Sequence, residues 1–170
     1  WRTLYSGVNN FTVMGGDPPE LAPTFKGFFI DLGPNINFGN TYTFTAGPIE
    51  GAPVPGGPMG PAKGDLLREL WGRHFLGINT NAKASAFQIA VWEIVFDTGL
   101  DFSVGAVQVT GDAGVLGTAQ GYLASLDGNT YAFAPVYALT STSTQDMLVP
   151  TPGALALLGL GGLAAARRRR

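Results

Sequence analysis

Apolar and polar positions follow two rhythms along this chain, and their order predicts a mixed fold. Residues 11–14 and 25–32 read as strands, separated by the turn-forming cluster Gly15-Gly16-Asp17-Pro18-Pro19. Residues 41–45 alternate Tyr and Phe with Thr, the period of a half-buried strand. From 47 to 64 Gly, Pro and Ala dominate, which predicts a flexible surface loop. A helical stripe follows over 65–76, with Leu66, Leu67, Leu70 and Trp71 on it and Gly77 ending it. Asn81 is placed to cap a second helix over 82–97. In that helix Phe87, Ala90, Val91, Ile94 and Val95 form one apolar face while Ile89, Trp92 and Phe96 fill much of the rest, so it should be buried almost all round. Residues 102–110 look like an irregular strand, 115–126 like a third helix, and 131–140 and 145–149 like closing strands. The expected class is α+β: a β-dominated, sandwich- or barrel-like body with two to three packed helices, plus a C-terminal hydrophobic helix.

Composition narrows the class. A chain of 170 residues supports one globular domain, and 45% apolar residues supply its core. Only 13% of residues are charged, and 25 Gly with 12 Pro favour turns and strands over a helical bundle. No cysteine is present, which excludes disulfides, thiolate metal sites and cysteine nucleophiles. The chain begins at Trp1 without a basic and apolar leader, so an export signal is expected to have been removed or to lie outside it.

The C-terminus changes the picture most. Val149, Pro150, Thr151, Pro152 and Gly153 form a turn-like segment, followed by an apolar run over 154–166 that includes Ala154, Leu155, Leu157, Leu158, Leu160 and Leu163. Arg167, Arg168, Arg169 and Arg170 close the chain. As a helix the run would be roughly 20 Å long, short of the roughly 30 Å hydrocarbon core of a bilayer, hence a weak permanent anchor. Counting from Met147 lengthens it, but Pro150 and Pro152 tend to end a helix. The positive-inside bias would hold the arginines in the cytoplasm and send the body across the membrane. With those four arginines set aside, six basic residues face twelve acids, so the body carries a formal charge of −6 and nucleic acid is disfavoured as a partner. Two segments follow: an extracytoplasmic body over 1–147 and a sorting tail over 148–170.

The order Pro-x-Pro-Gly, apolar helix and basic cluster resembles the PEP-CTERM tail of Gram-negative bacteria, with Thr151 standing where the family usually has Glu. The resemblance implies processing by an exosortase, a membrane-embedded cysteine transpeptidase, from an inner-membrane-anchored precursor to the cell surface or extracellular matrix. Association with exopolysaccharide or other biofilm components is the implied role, with aromatic residues such as Tyr5 or Tyr42 presented to sugar rings. A second resemblance lies in Ala86-Phe87-Gln88-Ile89-Ala90-Val91-Trp92, which is similar to the Phe-Gln-x-Ala-x-Trp helix of bacterial thioester domains. There the Gln condenses with a Cys of a Cys-x-Asp/Glu strand. Aligned on Asp31, that cysteine falls at Phe29, so the resemblance implies the fold without its thioester and leaves Gln88 as a hydrogen-bonding bridge between helix and strand.

Other candidate chemistry is sparse. His74 is the only histidine, and no Gly-x-Ser-x-Gly elbow accompanies it, so an enzyme of the cell envelope, either a hydrolase using His74 or an acyl-transfer protein whose cysteine has been lost, is the weaker alternative. Glu93, Asp97 and Asp101 fit an acid/base pair formally, but the spacing of the first two more simply makes a solvated stripe. The segments 111–114 and 127–129 read as turns rather than calcium loops, and the Gly-rich segment 56–64 lacks Gly-Lys-Ser/Thr. No cofactor, metal or catalytic residue is expected. A passive tail-anchored membrane protein is the third reading.

Overall fold

The computed structural model describes residues 8–15, 24–33, 35–54 and 56–151. They form an α+β unit: strands β1 (Asn9–Thr12), β2 (Thr24–Phe29) and β3 (Thr45–Gly47), helices α1 (Pro61–His74), α2 (Asn81–Phe96) and α3 (Ala113–Ala124), then strands β4 (Val136–Thr140) and β5 (Met147–Pro150). The strands make one antiparallel sheet in the order β1-β2-β5-β4-β3. It is open at both edges, neither the sandwich nor the barrel expected, and the helices hold more residues than the strands. Gly and Pro, taken as signs of extra strands, sit mostly in connections.

β5 lies at the centre, and all four of its residues are buried. Its Met-Leu-Val-Pro run is continuous rather than alternating because both faces of the sheet are covered. On one face Phe28, Leu148, Ala138 and Val136 join Leu67, Leu70, Trp71 and Phe87 in the main core. On the other, Phe25, Phe29, Met147, Val149 and Leu139 pack with Trp92 and Val107. Full burial of each large side chain contributes roughly 1.5–3 kcal/mol. Gly27 sits where β2 meets β5 closely: a Cβ there would lie 3.2 Å from Val149 Cγ1 and 3.3 Å from the Leu148 carbonyl, tighter than ordinary contact.

α2 is buried almost all round, from Ala86 to Val95 without a break. Its cap is Thr80, whose side chain accepts from the Lys83 amide at 3.2 Å, rather than Asn81. The expected solvated stripe is corrected: Glu93 is fully buried, lying inside the unbroken buried run from Ala86 to Val95 of a helix covered almost all round.

Four other expectations shift. The segment 47–64 is not a free loop: Ile49 and Ala52 are fully buried, Met59 donates to the Ala52 carbonyl, and α1 begins at Pro61, whose fixed φ suits a first helical position. Residues 41–44 stay outside the sheet, and only 45–47 pair with β4. Residues 102–110 bury Phe102 and Val107 without joining a ladder. The strand expected over 131–140 starts only at Val136, after a 3-10 turn at Thr130–Ala132 and after Pro135, which has no amide to donate.

Candidate functional site

Gln88 and Phe29, distant in sequence, meet at the edge of β2. β1 covers that edge as far as the Asn9↔Gly27 pair. Two residues on, the Gln88 carboxamide takes the place of a neighbouring strand: the Phe29 amide donates to Oε1 at 2.9 Å and Nε2 donates to the Phe29 carbonyl at 2.7 Å. A primary amide offers the same donor and acceptor as a peptide group, so the side chain continues the ladder. Gln88 is fully buried, and the pairing satisfies both polar backbone groups of Phe29. The Phe29 ring packs with Phe25, Trp92, Met147 and Val149. A phenyl group offers no nucleophile to the amide, so no thioester can form between residues 29 and 88, and the pairing holds helix against sheet.

Just beyond, two carboxylates tie three segments together. Asp146 accepts from the Val54 amide at 2.7 Å and the Ser141 amide at 2.8 Å, while its own amide donates to Asp31 Oδ2 at 3.1 Å. Burial pushes the Asp31 carboxyl up to about 6, with the Asp146 charge adding to the rise and the Asp146 amide opposing it. In the sequence Asp31 is marked only by the strand motif, and nothing local marks a carboxylate whose partners lie far along the chain.

The acidic stripe at the end of α2 is no paired-carboxylate site. Asp97 accepts from the Ala106 and Val107 amides at 2.7 and 2.8 Å, and Asp101 accepts from the Ser103 amide and hydroxyl, so both staple the loop that follows α2. Neither Glu93 oxygen has a hydrogen-bond partner among the described residues. Burial raises its carboxyl to about 7, with the charges of Asp97 and Asp101 adding to the shift. A fully buried acid cannot reach a substrate.

His74 does meet a serine. Its Nε2 lies 2.8 Å from Ser125 Oγ, and its ring stacks on Tyr122 at a centroid distance of 4.3 Å. The Ser125 hydroxyl, however, donates to the Tyr122 carbonyl at 2.7 Å. With the hydroxyl proton directed at the Tyr122 carbonyl, Oγ faces His74 as an acceptor and the Nε2–H tautomer completes the pair, the reverse of what a general base needs. Burial and the adjacent Arg73 charge lower the imidazole pKa, which favours this neutral form. Beside it, buried Glu69 accepts from Arg73 and from the Asp127 and Gly128 amides, and Arg73 also pairs with Asp127. The i,i+4 spacing of Glu69 and Arg73 was the available sign of this lock between α1 and the loop after α3.

The sorting segment straddles the limit of the fold. Val149 pairs with Tyr137, Pro150 pairs with Val136, and the Thr151 amide donates to the Pro135 carbonyl at 2.9 Å. Pro152, Gly153, the apolar residues from Ala154 to Leu163 named above and the four terminal arginines lie outside the described residues, as does Tyr5. Among the described residues no helix is long and apolar enough to cross a membrane, and no three acidic or histidine side chains are grouped to hold a metal ion. Tyr42 is half-buried, its hydroxyl accepting from the Asn37 amide and donating to the Asn37 carbonyl, whereas Tyr131 is 99% and Phe38 73% exposed. A shallow depression of about 170 Å³, lined by Val8, Lys26, Phe75, Leu76 and Ile78, falls below the roughly 300–1,000 Å³ of ordinary small-molecule clefts. Comparison with protein-family models, curated proteins and solved structures found no match to this chain.

Proposed function

We propose that this chain is an exported, non-catalytic surface or matrix protein whose tail is processed by an exosortase. The observation that carries the reading is the ordered C-terminus: Pro150-Thr151-Pro152-Gly153, an apolar run too short for a durable span, and four terminal arginines. In the precursor the tail engages the inner membrane with the body in the periplasm, and the processed body moves to the surface or matrix. The Gln88–Phe29 pairing supports a thioester-domain-like body in which the helix–strand junction is kept and the covalent chemistry is gone. The proton arrangement at His74 and Ser125 weighs against a hydrolase.

The work of the body is interaction with extracellular polysaccharide. The exposed rings of Tyr131 and Phe38 are the aromatic faces available for stacking against sugars, in place of Tyr42. The test of sorting is the C-terminal peptide of protein isolated from host cells with and without the exosortase. Loss of the arginine cluster only when the enzyme is present is expected. Retention of Arg170 in the membrane in both strains would leave a passive tail anchor in its place. For the ligand, a matrix pull-down with the body alone that retains no polysaccharide overturns the interaction assignment.

A further inference from the structure

The depression lined by Val8, Lys26, Phe75, Leu76 and Ile78 has a volume of about 170 Å³. That is close to the roughly 150 Å³ of an apolar cavity that takes up one benzene molecule, so it has room for a single six-membered ring and not for a larger metabolite. Four of its five lining side chains are apolar. Phe75 is fixed in place by stacking on Trp71 at a centroid distance of 4.1 Å, and Leu76 is 73% exposed, an apolar surface that the described residues leave uncovered.

The fifth lining residue sets the charge of an occupant. Of the five lysines and arginines among the described residues, four are committed to the body: Arg68 to Glu50 and Asp65, Arg73 to Glu69 and Asp127, Lys63 to the Val95 carbonyl and Lys83 to the Gly77 carbonyl. Lys26 is exposed and makes no hydrogen bond or ion pair among the described residues. Lys83 adds a second positive charge at Gly77, between Leu76 and Ile78, and no acid is among the described lining residues. The body as a whole, with six basic residues against twelve acids, repels a polyanion at long range. A local cation on an acidic body selects a ring with one carboxylate over a densely charged chain.

Resting on the polysaccharide reading above, we propose that this depression binds a single uronate unit of an otherwise neutral polysaccharide. The C–H face of the pyranose lies on Phe75, Leu76, Ile78 and Val8, and its carboxylate pairs with the Lys26 ammonium. Because the depression is shallow, the sugar hydroxyls stay in water and none has to find a partner in the apolar lining.

NMR titration of isotopically labelled full-length protein tests this, with cellobiose, cellobiouronate (the same disaccharide carrying one carboxylate), trigalacturonate and acetyl-Glu-Leu-amide as probes. Cellobiouronate is expected to shift the resonances of the five lining residues and to bind roughly fivefold tighter than cellobiose, a gap that closes in Lys26→Gln and at high salt. Leu76→Asp changes an exposed position and sets a carboxylate at the rim, so it is expected to abolish cellobiouronate binding in a protein that still folds. Trigalacturonate is expected to bind no tighter than cellobiouronate at low ionic strength. Equal affinity for cellobiose and cellobiouronate, tighter binding of trigalacturonate, or shifts confined to other surfaces such as those of Tyr131 and Phe38 each overturns the uronate site while leaving polysaccharide binding intact. If the peptide moves the lining residues and no sugar does, the occupant is a protein segment and the proposal fails. If no probe shifts any resonance the site also falls, and the matrix pull-down above decides the polysaccharide reading separately.

Discussion

Gln88 serves Phe29 as a strand neighbour would, its single carboxamide closing both hydrogen bonds that the backbone of Phe29 makes toward α2. Two buried peptide groups therefore depend on one side chain. Gln88→Ala leaves both unsatisfied and opens a void between helix and sheet, an expected loss of roughly 2–4 kcal/mol. Gln88→Glu keeps the acceptor and loses the donor. It should fall between Ala and the parent at acid pH, where the protonated carboxyl still donates, and be worse than Ala at pH 8. Urea unfolding of the three proteins at both pH values measures this, and a parent-like Gln88→Ala would remove the bridge from the account of the fold.

The same pairing makes a chemical prediction. With the carboxamide already docked on residue 29, Phe29→Cys is expected to bring a thiol within reach of the Gln88 carbonyl carbon. Condensation would release ammonia, a mass loss of about 17 Da, and methylamine would then open the thioester to an N-methylamide and a free thiol with a gain of about 31 Da. Intact mass of the purified variant reads the outcome directly. A full-mass protein with a titratable thiol would mean that Gln88 and residue 29 are related only as structural partners.

His74 gives the sharpest contrast between a scaffold and an enzyme. Because Ser125 Oγ sends its proton to the Tyr122 carbonyl, His74→Ala should leave any esterase activity toward activated esters at the level of the parent. It should cost stability instead, roughly 1–2 kcal/mol for the lost hydrogen bond and the stacking on Tyr122. A hundredfold fall in measured turnover with unchanged stability would reverse the assignment and make Ser125 and His74 a nucleophile and base.

The parts legible in the sequence are those that local spacing determines. The Leu67, Leu70 and Trp71 stripe marked α1, and the near-continuous apolar surface of α2 marked a helix covered on all sides. Gln88 stood out because an amide in such a helix must find partners. What escaped was decided by contacts between distant segments. Ile49 and Ala52 hide in a Gly/Pro-rich stretch that reads as a loop, yet α1 covers them. Phe102 and Val107 have the apolar character of a strand, but their backbone neighbours are tied to Asp97 instead of a ladder. Asp31 and Asp146 are ordinary acids until the ends of β2 and β5 bring them together.

Glu93 shows most clearly what tertiary packing adds, and it carries a pH prediction. Its carboxyl is raised from 4.5 to about 7, so between those values the folded protein binds more protons than the unfolded chain. Stability from the neutral acid is fully present below about 4.5 and is lost as pH rises through 7. At 1.36 kcal/mol per unit the loss is roughly 3 kcal/mol. Asp31, raised from 3.8 to about 6, has the same sign but completes its change at lower pH. Asp97 and Asp101, the charges that face Glu93, add to its penalty once all three are ionised. Glu93→Gln keeps the shape and cannot ionise. It should unfold at nearly the same urea concentration as the parent near pH 4.5 and be more stable by roughly 1–3 kcal/mol at pH 8, with the slope between pH 6 and 7 removed. The remaining slope below pH 6 belongs to Asp31, and a double variant with Asp31→Asn should flatten it. If the parent and Glu93→Gln keep parallel profiles from pH 4.5 to 8, Glu93 is solvated in solution and this face of α2 is not closed to water.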